Sequence, residues 1–205
     1  MVIHQHPFAS FCQKVLIAFY ELDLPFETVL VEGRDEHLKL WPLGTIPVLV
    51  DGEQMLPEST TIIEHIDDGR LTANPQARLW DRLADNHLDR PMQKIVTNEL
   101  RPEGRDDRFG VAEARATLDT AYGVFESRLA GRAWLAGDDF TIADCAAAPA
   151  VFYCRAVHPW DAGTHPELTR YHRATLARPS FARVVDEARP YRSVFPLPWP
   201  EDFDA

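Results

Sequence analysis

The sequence predicts an α/β domain followed by an all-helical domain, and three patterns lead to this fold class. Short β-prone runs alternate with helical spacing in the first part of the chain, in the order β-α-β-α-β-β-α. Beyond residue 78 we find helical patterns and no strand pattern. Residues 68–77 contain glycine, asparagine and proline, which is typical of a linker. The length of 205 residues allows two small domains, and we expect them at 1–72 and 78–205.

A β-α-β unit opens the chain. Residues 2–5 form a β-prone run, and apolar side chains recur at helical spacing from Ser10 onward. The tripeptide Asp23-Leu24-Pro25 ends this helix. Residues 26–31 predict a second strand, and it is expected to be parallel to the first because a helix connects the two.

A hairpin and a helix complete the first part. Residues 35–41 predict a short helix or a loop. The dipeptide Asp51-Gly52 lies between β-prone runs at 46–50 and 54–56, so these runs predict two antiparallel strands. Residues 59–66 carry isoleucines at helical spacing and predict the last helix of this part.

The second part of the chain predicts helices throughout, because apolar side chains recur there at spacings of three and four. The expected spans are about 78–95, 111–129, 141–157, 166–178 and 180–188. Thr141 and Asp144 have the spacing of a capping box, so we assign Asp144 to folding and not to catalysis. Pro149 falls inside the same helix, where we expect it to remove one backbone hydrogen bond and bend the helix.

Charge and cysteine content narrow the possible partners. A net charge of −11 and a pI near 5.1 argue against binding of nucleic acid, whose phosphates attract basic surfaces. No apolar run is long enough to span a membrane, and the first residues lack the pattern of a secretory signal. We therefore expect a cytoplasmic protein with neither nucleic acid nor a membrane as partner. The three cysteines lack metal-ligand spacing, which fits a reducing compartment and predicts no metal site.

Three short motifs stand at the beginnings of predicted elements. They are Gly44-Thr45-Ile46-Pro47-Val48-Leu49 at the third strand, Glu58-Ser59 before the last helix of the first part, and Thr141-Ile142-Ala143-Asp144 in the second part. In their order and spacing, these motifs and elements resemble the glutathione transferase superfamily. The resemblance implies a thioredoxin-like N-terminal domain, an all-α C-terminal domain, and glutathione as co-substrate.

The resemblance assigns glutathione-binding roles to residues of the first domain. A cis peptide bond between Ile46 and Pro47 would turn the backbone of Ile46 outward, where it could pair with an extended tripeptide. Glu58 would accept from the ammonium of the γ-glutamyl group, and Ser59 would hold its carboxylate at a helix N-terminus. Ser59 could equally be only the N-cap of that helix.

The start of the first helix must supply the chemistry that the resemblance implies. Lowering the pKa of a thiol by about two units takes ~2.7 kcal/mol, which a hydroxyl donor and a helix N-terminus can supply together. The place where serine-type relatives carry the activating hydroxyl falls on Ala9 or its neighbour. Ser10 is therefore the first catalytic candidate and Cys12 the second, and Ser10 and Phe11 are expected to contact glutathione. Ser10-x-x-Gln13 could also form a capping box.

Three functions remain open on the sequence alone. The first is conjugation of glutathione to a small hydrophobic electrophile bound by the helical domain, with a role in detoxification. The second is a glutathione-dependent isomerase or dehalogenase, in which glutathione adds and leaves again. The third is a non-catalytic binding protein of the same fold, for which Ala9 is the argument. Relatives are usually two-fold dimers, so we also expect a homodimer.

Overall fold

The computed structural model describes residues 1–199, apart from the side chains of Arg34 and Glu36. Within this range the first part of the chain contains a four-stranded sheet with helices, and the second part is helical. The predicted fold class is therefore confirmed.

The sheet mixes parallel and antiparallel pairs. Its strands are β1 (Val2–Gln5), β2 (Glu27–Leu30), β3 (Val48–Asp51) and β4 (Gln54–Pro57). They lie in the order β2-β1-β3-β4; β1 is parallel to β2 and antiparallel to β3, which is antiparallel to β4. Gly52 turns the chain between β3 and β4 with a φ of 61°, a conformation that glycine adopts without a steric penalty. The predicted strands and the hairpin are confirmed, although some strand ends differ.

Helices of the first part flank this sheet. They are α1 (Ser10–Leu22), α2 (Arg34–Leu40) and α3 (Ser59–Ile66). The segment predicted as a short helix or a loop is thus the helix α2. Most side chains of α1 are buried, because α1 packs against α3 and also against helices of the second part. Its position between the two parts makes its N-terminus a place where both can contribute side chains.

The second part begins with one long helical run and continues with further helices. They are α4 (Pro75–Ala84), α5 (Arg90–Glu99), α6 (Arg108–Leu129), α7 (Ile142–Val157), α8 (Pro166–Leu176) and α9 (Pro179–Ala188). A π-helical segment, Asp85–Asp89, joins α4 to α5, and a 3₁₀ turn, Arg189–Val194, follows α9. The expected linker ends early, because the Asn74 side chain accepts from the Gln76 N–H at 2.9 Å and caps α4. None of the helices between residues 1 and 199 is long and apolar enough to cross a membrane.

Helix α7 lies at the centre of the second part, and its capping box is confirmed. The carboxylate of Asp144 accepts from the backbone N–H groups of Thr141 and Leu135, both at 3.0 Å, and from the phenol of Tyr171 at 3.0 Å. Burial raises the pKa of Asp144 to about 6. Among residues 1–199, the hydrogen-bond partners of this carboxylate all lie inside the helical part, which agrees with its assignment to folding. Pro149 lies within α7, as the sequence predicts.

The strand register brings three chain segments to one edge of the sheet. His4 near the end of β1 pairs with Val48 at the start of β3, and Val48 pairs with Pro57 at the end of β4. The loop into α1, the segment before β3 and the turn into α3 therefore meet at this edge. All the glutathione-binding positions that the sequence predicts lie on these three segments.

Candidate active site

The N-terminus of α1 presents unpaired backbone donors. Ala9 is the N-cap, in extended conformation and without a side-chain capping bond. Its carbonyl oxygen accepts from the N–H groups of Cys12 and Gln13, each at 2.9 Å. Within the described residues, the N–H groups of Ser10 and Phe11 have no hydrogen-bond partner. The capping box expected from Ser10 and Gln13 is wrong, because Ser10 is already the first helical residue.

The hydroxyl of Ser10 faces the helical part of the protein. Ser10 is 5% exposed, and its Oγ accepts from the amide nitrogen of Gln93 at 3.1 Å. Gln93 also donates to Asp89 Oδ1 at 2.7 Å, so its amide links the Ser10 hydroxyl to a buried carboxylate. Ser10 thus has a hydroxyl next to the site, and the oxygen of this hydroxyl accepts from Gln93.

Cys12 is fully buried in the first turns of α1. Burial raises the pKa of its thiol to about 12, although a backbone hydrogen bond near His6 acts in the opposite direction. Its thiol is therefore neutral near pH 7, whereas a cysteine nucleophile needs to be a thiolate. The structure places this second catalytic candidate in the core, and we do not carry it into the proposed mechanism.

Two side chains hold the loop that leads into α1. The amide nitrogen of Gln13 donates to the carbonyl oxygen of Pro7 and to the phenol oxygen of Tyr153, both at 2.9 Å. The phenol of Tyr153 in turn donates to the carbonyl oxygen of Phe8 at 3.1 Å. Because Tyr153 belongs to α7, the helical part fixes the backbone from which Ala9 and the free N–H groups project.

The segment before β3 presents a free backbone edge. The peptide bond between Ile46 and Pro47 is cis, as the resemblance implies. The N–H and C=O groups of Ile46 have no backbone partner within residues 1–199. The preceding residue, Thr45, is held in place by α2, since the ring nitrogen Nε2 of His37 lies 2.8 Å from the carbonyl oxygen of Thr45. An extended peptide can pair with the free groups of Ile46 as an added strand does.

The turn into α3 has an unusual backbone and exposes further donors. Glu58 is the N-cap of α3 and has a φ of 73°, a region that non-glycine residues seldom adopt and that is often found at functional sites. Ser59 is the first helical residue, so the expectation that it could be the N-cap is wrong. In the described chain, the N–H groups of Ser59 and Thr60 have no hydrogen-bond partner. A helix N-terminus with free N–H groups favours an anion such as a carboxylate.

A buried ionic cluster connects this turn to α1 and α4. Lys14 is 1% exposed, and its ammonium lies 2.6 Å from Asp81 and 2.8 Å from Asp85. It also donates to the hydroxyl of Thr60 at 2.9 Å. Arg82 contacts the same two carboxylates and the same hydroxyl from the surface side. The cluster therefore fixes the first turn of α3 against both α1 and α4.

Aromatic side chains form a wall beside the N-terminus of α1. The ring of Phe8 packs against those of Tyr153, Phe195 and Trp199, with centroid distances of 5.4, 5.9 and 5.9 Å. The chain after the 3₁₀ turn thus lies against the loop into α1. This wall provides apolar surface next to the unpaired N–H groups.

Sequence reasoning missed the contacts across the two parts of the chain. Asp81, Asp85 and Asp89 recur every four residues, which is usually the pattern of a solvent-exposed face, yet they are buried against α1. The signal that could have found them is Lys14, which stands among apolar residues of α1. A lysine at such a position needs a buried counter-charge, and these aspartates provide it.

Comparison with known proteins agrees with this geometry. A family model described as glutathione S-transferase, N-terminal domain, matches residues 3–70, and one described as glutathione S-transferase, C-terminal domain, matches residues 108–174. The chain belongs to the glutathione S-transferase family. Among its relatives, glutathione S-transferase 3 of Zea mays is 30% identical over 213 residues, which cover 94% of this chain and 93% of the maize protein. Glutathione S-transferase GstB of Escherichia coli K12 is 29% identical over 194 residues, which cover 84% and 91%.

Solved structures of transferases share the fold. Glutathione S-transferase III in its apo form is 26% identical, with a TM-score of 0.74 and coverage of 97% of this chain and 98% of that one. A glutathione S-transferase of Methylobacterium radiotolerans in complex with glutathione sulfonate is 27% identical, with a TM-score of 0.76 and coverage of 90% and 93%. The similarity to both transferases extends over both parts of the chain.

Proposed function

We propose that this transferase activates the thiol of glutathione at the N-terminus of α1 for attack on a small hydrophobic electrophile. Glutathione is its co-substrate, and a relative of the same family has been solved with glutathione sulfonate. The observation that carries the proposal is the meeting of unpaired backbone groups at one edge of the sheet. They belong to Ser10, Phe11, Ile46 and Ser59.

Each group has a part in holding the tripeptide. The backbone of Ile46 pairs with the central peptide unit, and the hydroxyl of Ser59 together with the free N–H groups at this turn takes the α-carboxylate of the γ-glutamyl residue. The exposed carboxylate of Glu58 accepts from the ammonium beside it. Residues 1–72 form the glutathione-binding domain in this proposal, and residues 78–205 contribute the surface for the electrophile.

The sulfur then lies at the N-terminus of α1. The N–H groups of Ser10 and Phe11 donate to the thiolate, and the helix dipole favours its negative charge. Stabilisation of ~2.7 kcal/mol is enough to lower the thiol pKa by about two units. The hydroxyl of Ser10 is the remaining donor within reach of this position. The apolar wall at Phe8 accommodates the electrophile, so that both reactants meet in one orientation.

Binding and turnover test this function together. We expect glutathione to bind in a calorimetric titration and the enzyme to conjugate it to a chloronitrobenzene, with glutathione consumed in step with product. Ser59→Ala should weaken glutathione binding about tenfold, which corresponds to ~1.4 kcal/mol. Ser127→Ala is the matched control, since its hydroxyl bonds only within α6 to the carbonyl of Gly123. The absence of both binding and conjugation would refute the proposal.

We further propose that the protein is a cytoplasmic homodimer. Val124 is about half exposed and lines, with Leu83, a cleft of about 490 Å³ between α4 and α6; Leu79, also about half exposed, precedes Leu83 by four residues on α4. Apolar side chains in such an arrangement support association with a second copy. Light scattering should give twice the mass of one chain, and Leu79→Arg should reduce it to a single chain. A monomer at micromolar concentration would refute the dimer.

A further inference from the structure

A cleft of about 730 Å³ lies beside the proposed active site, on the β2 side of β1. The sheet contributes Gln5 of β1 and Leu30 of β2, which pair in register, so both side chains lie on the same face. Helix α1 lines the cleft on one side, and α9 with the 3₁₀ turn lines it on another. The residues that the proposed function assigns to glutathione do not line it. Its volume is typical of a site for a small molecule.

The side chain of Gln5 is a buried polar group of this cleft. Gln5 is 5% exposed, and within residues 1–199 its amide oxygen Oε1 has no hydrogen-bond partner. Buried amide oxygens are nearly always hydrogen-bonded, because burial without a partner costs free energy. The last torsion of a glutamine side chain is soft, so the amide can turn its oxygen towards the cleft. Gln5 therefore marks a place where a ligand can donate a hydrogen bond.

Aromatic side chains line the cleft and favour a ligand with a flat ring. Tyr20 of α1, Phe26 before β2 and Tyr191 of the 3₁₀ turn are all partly buried. The rings of Tyr20 and Phe26 pack against each other with a centroid distance of 5.5 Å. Aromatic faces bind other rings, and their negative potential also attracts cations. Arg183 already makes such a contact, since its guanidinium carbon lies 4.1 Å from the centre of the Tyr20 ring.

The charged groups of the cleft favour a cationic ligand over an anionic one. The carboxylate of Glu187 accepts from the Tyr20 phenol at 2.8 Å and pairs with Arg183 at 2.9 Å, so the charge of this arginine is already balanced. Asp23 at the end of α1 adds a further carboxylate to the lining. The ionised side chains of the cleft thus carry one more negative than positive charge. They attract a cation and repel an anion.

We propose that this cleft binds a small aromatic amine in its protonated form, at a site separate from the proposed active site. The ammonium group donates to the amide oxygen of Gln5, and the carboxylate of Glu187 compensates its charge. The aromatic body of the ligand lies against the rings of Tyr20 and Tyr191. The unpartnered oxygen, the aromatic lining and the excess of carboxylates each select one part of this ligand.

Equilibrium dialysis of the full-length protein with 4-phenylbenzylamine at neutral pH tests the proposal. We expect the amine to bind, and 4-phenylbenzoate, which has the same aromatic body and the opposite charge, to bind at least about tenfold more weakly. Saturating S-hexylglutathione, which occupies the proposed active site, should leave amine binding unchanged. Absence of amine binding, equal affinity for the two probes, or displacement of the amine by S-hexylglutathione would overturn the inference.

Variants of the cleft locate the bound amine. Gln5→Leu removes the acceptor at similar size and should weaken amine binding about tenfold, whereas Gln5→Glu keeps an acceptor and should bind at least as tightly as wild type. Thr28→Arg, at an exposed position of β2 in the cleft lining, should abolish binding by its bulk and charge. Gln54→Leu, at an exposed position of β4, is the matched control and should bind as wild type.

Unchanged amine binding in both Gln5→Leu and Thr28→Arg would place the ligand elsewhere and overturn the inference. These outcomes are independent of the proposed function, because the cleft contains none of the groups assigned to glutathione. Failure of wild type to bind glutathione would refute the proposed function alone, and failure to bind the amine would refute this inference alone.

Discussion

Tyr153 of α7 and Gln13 of α1 share a hydrogen bond of 2.9 Å that is buried between the two parts of the chain. The two residues also bond to the carbonyl oxygens of Phe8 and Pro7, so they fix the loop that ends at the N-cap of α1. Their contact makes the position of the proposed thiolate donors depend on the helical part.

Tyr153→Phe should lower kcat/KM for glutathione about tenfold, which corresponds to ~1.4 kcal/mol. The loss of the phenol leaves the carbonyl of Phe8 unpaired and releases the loop beside Ala9. Steady-state kinetics with varied glutathione measures the effect. Tyr171→Phe is the control, because it removes a buried phenol that bonds to Asp144 at 3.0 Å inside the helical part. If both variants lose stability equally and neither changes kcat/KM, the hydrogen bonds of Tyr153 to Gln13 and Phe8 have no part in the site.

Ala9→Ser should increase the acidity of bound glutathione. Position 9 is the N-cap of α1 and lacks a side-chain donor. A serine there would bring a hydroxyl to the proposed thiolate, and one hydrogen bond to a charged group contributes ~1.5–3 kcal/mol, or one to two pKa units. A pH titration of the thiolate absorbance gives the pKa directly. Ala9→Val, which adds bulk without a donor, should not lower it. A pKa unchanged by serine would place the sulfur elsewhere.

Lys14→Met should lower the free energy of unfolding by ~3–5 kcal/mol, since it leaves Asp81 and Asp85 buried without their ammonium partner. Urea denaturation measures the loss. Lys39→Met, on the exposed side of α2, should change stability by less than ~0.5 kcal/mol. Equal stability of the two variants would show that Arg82 alone neutralises both carboxylates.

Asp89→Asn should change how stability depends on pH. Burial raises the pKa of Asp89 to about 7, above its ordinary value near 4, so between these pH values the folded state holds a proton that the unfolded state releases. Through this group, wild type loses stability as the pH rises from about 4 to about 7, and the asparagine variant does not. The free energy of unfolding of the variant, compared with that of wild type, should therefore rise by a few kcal/mol across this window. Urea midpoints at several pH values measure this gain, and parallel curves for the two proteins would contradict it.

The sequence was sufficient for the fold but not for the chemistry behind the site. Strand alternation, the Asp51-Gly52 turn and helical spacing are local patterns, and they predicted the order of elements. Ile46, Pro47 and Ser59 could be named as glutathione-binding candidates because their motifs resemble those of the glutathione transferase superfamily. The partner of the Ser10 hydroxyl could not, since Gln93 lies some eighty residues away and reaches α1 only through tertiary packing. For Cys12 the sequence allowed both a reactive thiol and a partly buried packing residue, and the structure shows it fully buried.

The helical run from Pro75 to Glu99 carries the acidic side chains that pair with Lys14 and the amide that donates to Ser10. The two halves of the chain are therefore not interchangeable modules. A chimera that joined residues 1–72 to the helical half of another transferase would need a carboxylate opposite Lys14, or an apolar residue in place of the lysine. In this chain, the pairing of Lys14 with the acidic side chains of the helical run therefore limits which helical halves the first part could accept.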